Sequence, residues 1–422
     1  MPPLKLIIPG RYWDSQIYRG RLHLFGMDGD ILTLDWDRLI ENLQVRDELR
    51  IAVRSAFQRS DFLYGVAATG IFHDAEVRET ISRRFHDLLQ APLELSRQEM
   101  NRTAMGQQDN LFPFPHADSE IYNRRLYVSS RAGVFAANCG GTTKHAVSTR
   151  IAPLSEMPVS AVRASYRSLA LAAGEEGLWQ YDLDDFRDGS RTERVASQHC
   201  SECQWAFHSI YGSSSTGAGV LASYRKRRES SAWSEREEWR RDLDRVIPDS
   251  EIFADFEHLE GEYSWAAQDK ICQAANGSIR VARYEPWNEK SPLRRLGVLP
   301  LARQGEAVVS AKVALFGTVV ELDSGLIVIC SDETILDVGG EPVSWRVFPR
   351  SRHYENHLHV IHDDHLEVLS FNHDYLVDQQ TKVSGISLGK GRVSGDAYPE
   401  TGRGSIASQR VAERGRQWGP AD

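Results

Sequence analysis

The chain has 422 residues, a formal net charge of −9, 41% hydrophobic and 26% charged residues, which describes a globular protein with a large core and excludes a disordered or membrane-embedded one. The acidic balance argues against nucleic acid and against anionic membranes as partners, since both call for a basic face. No stretch approaches the ~20 apolar residues needed to cross a bilayer, and the N-terminal run is too soon broken by Pro9 to be a signal peptide.

In chain order, Leu4-Lys5-Leu6-Ile7-Ile8 reads as a first strand. Residues 14–31 and 118–135 then align without a gap at an offset of 104, with identities at Asp14/Asp118, Ser15/Ser119, Ile17/Ile121, Tyr18/Tyr122, Arg21/Arg125, Leu22/Leu126 and Gly29/Gly133. Such duplication marks a repeat architecture. In the first copy an alternating run, Ile17 to Leu24, a turn at Gly26-Met27-Asp28-Gly29 and a returning run, Ile31 to Trp36, form a hairpin. Asp-Gly supplies the positive φ that a tight turn needs.

Between the copies, residues 37–105 carry two amphipathic helices with apolar stripes Leu49, Val53, Ala56, Phe57 and Val77, Ile81, Phe85, Leu88, Leu89. Asp74 is a natural N-cap for the second and Pro92 a natural stop. Weaker hairpins follow: Tyr166–Leu171 with Leu178–Tyr181, Trp205–Tyr211 with Gly219–Tyr224, Lys270–Gln273 with Ile279–Tyr284, Leu326–Cys330 with Thr334–Val338, and Leu358–Ile361 with His365–Leu369. A second helical insertion is expected over 225–258, where Ser234 and Glu237 read as a capping box and Trp239, Leu243, Val246 and Ile247 share a face. The Gly/Ser/Arg-rich segment 385–422 is expected to be a disordered tail.

Seven hairpins, most separated by a further strand-like run such as Arg150–Pro153 or Val343–Val347, predict an all-β fold. The expected architecture is a β-propeller of about seven blades with helical insertions, spanning residues 1–384, in which Leu4–Ile8 completes the last blade. In this hairpin-per-blade pattern the chain resembles the WD40-like β-propeller superfamily over residues 4–384. Trp36-Asp37 is a single Trp-Asp dipeptide and the Gly-His and Trp-Asp landmarks do not recur, so the resemblance implies a fold and carries over no functional residue. Two stacked β-sandwiches are the competing architecture, and they fit less well because the hairpins continue past any plausible boundary.

Several constellations invite chemistry. His199-Cys200-Ser201-Glu202-Cys203 offers His199, Cys200 and Cys203 as zinc ligands or a redox pair, but no second Cys-x-x-Cys or His pair follows, and a strand-entry loop with free thiols accounts for it better. Near the C-terminus stand His353, His357, His359, His362, His365 and His373. His357 and His359 share one strand face, a pattern that suits a transition metal but equally a half-buried strand. Asn138 to His145 has the wrong spacing for a phosphate loop, and the basic run Arg225–Arg228 is answered by Glu229, Glu235, Glu237 and Glu238. No cofactor is expected, and the five cysteines, odd in number, suggest free thiols in a reducing cytoplasm.

These readings favour a non-catalytic scaffold or accessory subunit that binds one or more proteins of a bacterial multi-component complex. Trp233, Trp239, Phe57 and Phe62 are its candidate hot-spot aromatics. The alternative is a hydrolase or lyase with a metal or acid/base site in the central channel. A sensor whose Arg-bearing tail (Arg403, Arg410, Arg414, Arg416) touches nucleic acid is a third reading, opposed by the overall charge.

Overall fold

A computed structural model describes residues 3–371 apart from 59–73, 91–92, 140–145, 184–190, 215–218, 231–236, 255, 257–262, 268, 289, 302–304, 315, 331–333 and 352. Its strands form seven antiparallel sheets of four, one of which gains a fifth strand. The innermost strands are Tyr12–Tyr18, Asp118–Tyr122, Ala161–Ser165, Glu202–Ala206, Tyr263–Ala267, Val308–Ala314 and Ser344–Val347, here the inner strands of blades one to seven. Each touches its two neighbours, and that of blade seven meets that of blade one, so the ring is closed. The protein is a seven-bladed β-propeller. Apolar side chains fill the gaps between blades, which is how a blade with two apolar faces escapes water.

Ring closure uses the two ends of the described chain. Leu4–Pro9 is the outer strand of blade seven and pairs antiparallel with His365–Ser370, from Leu4 opposite Ser370 to Pro9 opposite His365. Leu6 and Ile8 are fully buried there.

The duplicated peptides occupy equivalent places in blades one and two, but the break between strands differs from the sequence reading. The run Ile17–Leu24 is two strands, Tyr12–Tyr18 and Arg21–Gly26, joined by a two-residue turn at Arg19 (φ 49) and Gly20 (φ 71). Blade two turns at Asn123 (φ 48) and Arg124 (φ 63), and blade three at Tyr166 (φ 48) and Arg167 (φ 57). The run Trp205–Tyr211 is likewise split, between Glu202–Ala206 and Ser209–Ser213. These left-handed turns match the twist of a hairpin, yet most are built from residues that do not announce a turn. A tyrosine supports three of them from the preceding blade. Gly20 N–H donates to Tyr354 Oη (2.9 Å), Arg124 N–H to Tyr18 Oη (3.3 Å) and Arg167 N–H to Tyr122 Oη (3.4 Å). This explains why Tyr18 and Tyr122 are retained in both copies.

The first insertion lies between the third strand of blade one, Ile31–Asp35, and its outer strand, Ala104–Gln108. It is helical: α1 is Trp36–Asn42, α2 is Arg50–Val53, running into a π-turn at Arg54–Gln58, α3 is Ala75–Leu89 and α4 is Arg97–Thr103. Asp74 caps α3 by accepting from Glu76 N and Val77 N, while Pro92 lies outside the described residues. Ile81, Phe85 and Leu88 of α3 join Leu6, Ile8 and Trp36 in one core, so the insertion is a buttress against blades seven and one. Leu93–Glu94 even adds a fifth, parallel strand beside Leu4–Pro9.

The second insertion is not helical. Residues 220–230 and 237–248 are the third and outer strands of blade four, paired from Val220 opposite Pro248 to Ser230 opposite Glu237. Among the described residues of 225–258 only Asp249–Ile252, α5, is helical. The spacing of Trp239, Leu243, Val246 and Ile247 that suggested a helix face is broken in the structure by a bulge between Ser223 and Tyr224 in the pairing with Arg245 and Leu243. Ile247 is buried while Leu243 and Val246 are exposed. The proposed cap Ser234 and the tail 385–422 lie outside the described residues.

Candidate functional site

Charged side chains of the inner strands converge on the axis of the ring. Asp14 (blade one) and Asp118 (blade two) are buried there, each near the start of its inner strand. Arg346 of blade seven reaches both. Its Nε and Nη2 donate to Asp14 Oδ1 and Oδ2 (3.0 and 2.9 Å), Nη2 also to Asp118 Oδ1 (3.1 Å), and Nη1 to the Ser119 carbonyl (2.7 Å). Asp118 Oδ2 accepts from Arg163 Nη1 and from Val162 N–H in blade three. Arg163 Nη2 continues to Glu202 of blade four at 3.6 Å.

Burial alone would raise the Asp14 carboxyl, but Arg346 and the bonds from His116 and Ser119 outweigh it and hold the group well below its ordinary value. Asp118 is lowered in the same way, against burial, by Arg163, Arg346 and Lys312. Both carboxylates are therefore ionised and saturated with donors, as a buried charge must be. Lys312 of blade six lies over the Trp345 ring at 4.8 Å, and burial lowers its ammonium.

Other side chains cross between blades that are not neighbours. Gln204 of blade four donates to the Ala311 carbonyl of blade six (2.9 Å) and accepts from Ala266 N–H of blade five (3.0 Å). Arg350, just after the inner strand of blade seven, donates to the Ala164 carbonyl of blade three and to Glu120 of blade two. The axis is thus a tie-bar. A proton-transfer pair needs one group held protonated and one held ionised, whereas Asp14 and Asp118 are pushed the same way.

The residues singled out as metal ligands are placed elsewhere. His357 and His359 are both fully buried, their rings stacked at 6.0 Å. His357 Nε2 donates to the Ala56 carbonyl (3.0 Å), which also accepts from Asn356 Nδ2 and Ser370 Oγ. His359 Nδ1 meets Ser15 Oγ at 2.9 Å. Burial pushes His357 down to about 4 and His359 well below its ordinary value. The pair fastens the insertion and blade one to blade seven as neutral rings. Cys200 and Cys203 are fully buried, and burial raises the Cys200 thiol to about 12 and raises that of Cys203 too. Cys203 Sγ faces the Ala170 carbonyl (3.4 Å), and His199 Nδ1 is taken by Ser214 Oγ (2.8 Å). These are core thiols; a thiolate ligand needs the opposite shift.

Among the described residues one trio brings potential ligand atoms within 4.8 Å of one another: His362, His365 and Glu367, at the end of the same strand pair. Both histidines belong to the C-terminal group visible in the sequence. The carboxylate that faces them stands two residues further on, on the strand.

Of the candidate docking aromatics, Phe57 is fully buried and its carbonyl accepts from Trp36 Nε1 (2.6 Å), so it is core. Trp239 lies on the outer strand of blade four, opposite Arg228. Trp233 and Phe62 lie outside the described residues. That strand and its partner form the longest pairing among the described residues, 12 and 11 residues against 5 to 8 in most blade strands. Arg241 holds its base. The guanidinium lies 4.7 Å from the Trp205 ring and 4.5 Å from Tyr224, and it donates to the His208 carbonyl (2.6 Å) and Gln180 Oε1 (2.7 Å). No described helix is long and apolar enough to cross a membrane.

No protein-family model matches the chain, and no curated protein matches it. Among solved structures it is similar to the Myceliophteria thermophila Cps50 (Swd1) beta-propeller domain, with 8% identity and a TM-score of 0.44 over 86% of this chain and 96% of that one. It is also similar to the WD40 beta propeller domain of Doa1, with 10% identity and a TM-score of 0.33 over 61% and 92%. A third is Kluyveromyces lactis Hsv2, with 14% identity and a TM-score of 0.36 over 58% and 71%.

Proposed function

We propose that the protein is a non-catalytic propeller scaffold, an accessory subunit that holds partner proteins of a bacterial multi-component system. The observation that carries this reading is the long strand pair of blade four. Paired backbone from Tyr224–Ser230 and Glu237–Leu243 runs on beyond the length of an ordinary blade strand, and Glu237–Pro248 is the last strand of its sheet. An edge strand of this kind can add an extended segment of another protein. Its mixed charges, Arg225 to Arg228 against Glu229, Glu237 and Glu238, suit a polar rim around that contact. The axial ion network supports the same role, because it spends its carboxylates on rigidity and leaves recognition to the rim. The five cysteines are all buried free thiols, in keeping with a reducing cytoplasm.

The test shortens the strand pair. Lys226 and Arg241 are opposite each other, so residues 227–240 can be replaced by Asn-Gly, which closes a two-residue hairpin turn. Affinity isolation of the intact chain from its native host should recover a stoichiometric protein that the shortened chain loses while its Tm stays unchanged. Equal recovery by both chains, or no stoichiometric protein with either, overturns the reading.

A further inference from the structure

We propose that the turn between the second and third strands of blade seven, His357–Ile361 and His365–Ser370, binds a zinc-type divalent cation through His362, His365 and Glu367. The geometry is close to what such an ion requires. His365 Nε2 lies 3.5 Å from Glu367 Oε1, and His362 Nε2 lies 3.8 Å from Glu367 Oε2. Tetrahedral zinc with bonds of about 2.0–2.2 Å sets its ligand atoms about 3.3–3.6 Å apart, so the His365–Glu367 distance already fits and the His362–Glu367 distance is slightly long, with one ligand atom from each residue lying within 4.8 Å of the others.

The turn is built to present these atoms. His362 N–H donates to the His365 carbonyl (2.8 Å), which fixes the hairpin end, and the two rings stack at 4.7 Å. Asp364 Oδ1 accepts from His365 Nδ1 at 2.5 Å. That bond places the ring proton on Nδ1 and leaves the Nε2 lone pair aimed at Glu367. A carboxylate behind a ligating histidine orients the ring and raises its basicity. Glu367 comes from the strand itself, buried and opposite Ile7 of the closing strand, so its position is set by the sheet.

The charge arrangement asks for a cation. Two imidazole nitrogens and a carboxylate converge, with the Asp364 carboxylate behind them, and Lys5 Nζ on Glu367 Oε1 (2.6 Å) is the cation facing the trio. Lys5 is more than a third exposed along its side chain and can swing into water when a metal takes its place. Two nitrogens and one oxygen suit zinc better than calcium or magnesium. The histidines are partly exposed, which leaves an approach from solvent.

The test uses the full chain, stripped with a chelator and titrated with Zn2+ against a chromogenic competitor, and with Co2+ for the visible bands of a tetrahedral site. One equivalent of Zn2+ should bind. His365→Ala and Glu367→Gln should weaken it by at least about 100-fold, and Asp364→Asn by about 10- to 100-fold. Lys5→Met should tighten it severalfold, a gain that a merely structural Lys5–Glu367 pair would not produce. His362→Gln, which replaces a second ligand with a side chain of similar size, covers the case in which His365→Ala fails to fold. Affinity equal in the intact chain and in the His362→Gln and Glu367→Gln variants overturns the proposal, as does the absence of a bound equivalent.

Discussion

Asp14 and Asp118 lie at the same position of two copies of one peptide, and both bind the guanidinium of Arg346. Repetition along the chain has become convergence in space. Each copy aims its carboxylate at the axis of the ring, where one arginine from blade seven reaches both and Arg163 of blade three supplies the second positive charge, on Asp118. Removing that arginine should be costly, since a buried pair that loses one partner leaves an uncompensated charge. Arg346→Leu is expected to destabilise the fold by about 3–5 kcal/mol in urea unfolding. Arg346→Lys should recover only part of this, because an ammonium cannot reproduce the bidentate contact to Asp14. A loss below about 1 kcal/mol for Arg346→Leu would show that the network is dispensable.

The same repetition makes a prediction for the turns. Gly20 in blade one and Arg124 in blade two both have a positive φ, at 71° and 63°. A Cβ at Gly20 would come within 2.5 Å of Asp37 Oδ2 and displace that carboxylate. In blade two the arginine bears the left-handed strain, about 1–2 kcal/mol for a residue with a Cβ, set against the greater entropy that glycine loses on folding. Arg124→Gly should therefore raise stability by about 0.5–1 kcal/mol, seen as a higher urea midpoint at unchanged m-value. A destabilised variant would place the weight of that turn on the arginine side chain.

What the sequence discloses follows from how local each feature is. The hairpins with Gly or Asp at their turns, such as Asn276-Gly277, and the closing strand Leu4–Pro9 are written in short-range pattern, and the structure has them where the pattern puts them. The turns at Asn123-Arg124 and Tyr166-Arg167 are supported by tyrosines of a neighbouring blade, a contact no local window contains. The stretch around Trp239 misled because a bulged edge strand can imitate helical spacing. Likewise His357 and His359 share a face as expected, but that face is sealed by the helical insertion, whose Ala56 carbonyl is reached from some 300 positions away. The trio at His362 was half legible: the histidines show in the turn, while the carboxylate becomes their partner only once the strand is folded.

Buried neutral histidines also give the fold a pH dependence. His357 is held at about 4 in the folded chain, below the ~6.5 of an unfolded histidine. A depressed folded value means that the unfolded state binds more protons between these limits, so stability is complete above about pH 6.5 and is lost as pH falls toward 4. His357 alone should account for a loss on the order of 2 kcal/mol at pH 5. His357→Gln, which keeps an N–H for the Ala56 carbonyl, should flatten the urea-midpoint profile between pH 7 and 5 relative to the parent. An unaltered slope would show that this ring is protonated without penalty.

The base of the long strand pair rests on Arg241, and its removal separates the stability of the disc from the order of the projection. The guanidinium lies over Trp205 and Tyr224 and bonds the His208 carbonyl and Gln180, so it joins blade four to blade three. A partly desolvated cation–π contact contributes about 1–2 kcal/mol, and each hydrogen bond to a charged group about 1.5–3 kcal/mol gross of its non-additivity. Arg241→Ala should lower global stability by about 2–3 kcal/mol and expose the pair 224–243 to protease at a rate the parent does not show. Limited proteolysis with mass-spectrometric mapping reads both effects together. If cleavage in that segment is unchanged while the disc is destabilised, Arg241 belongs to the blade interface alone, and the projecting strands are held by their own ladder.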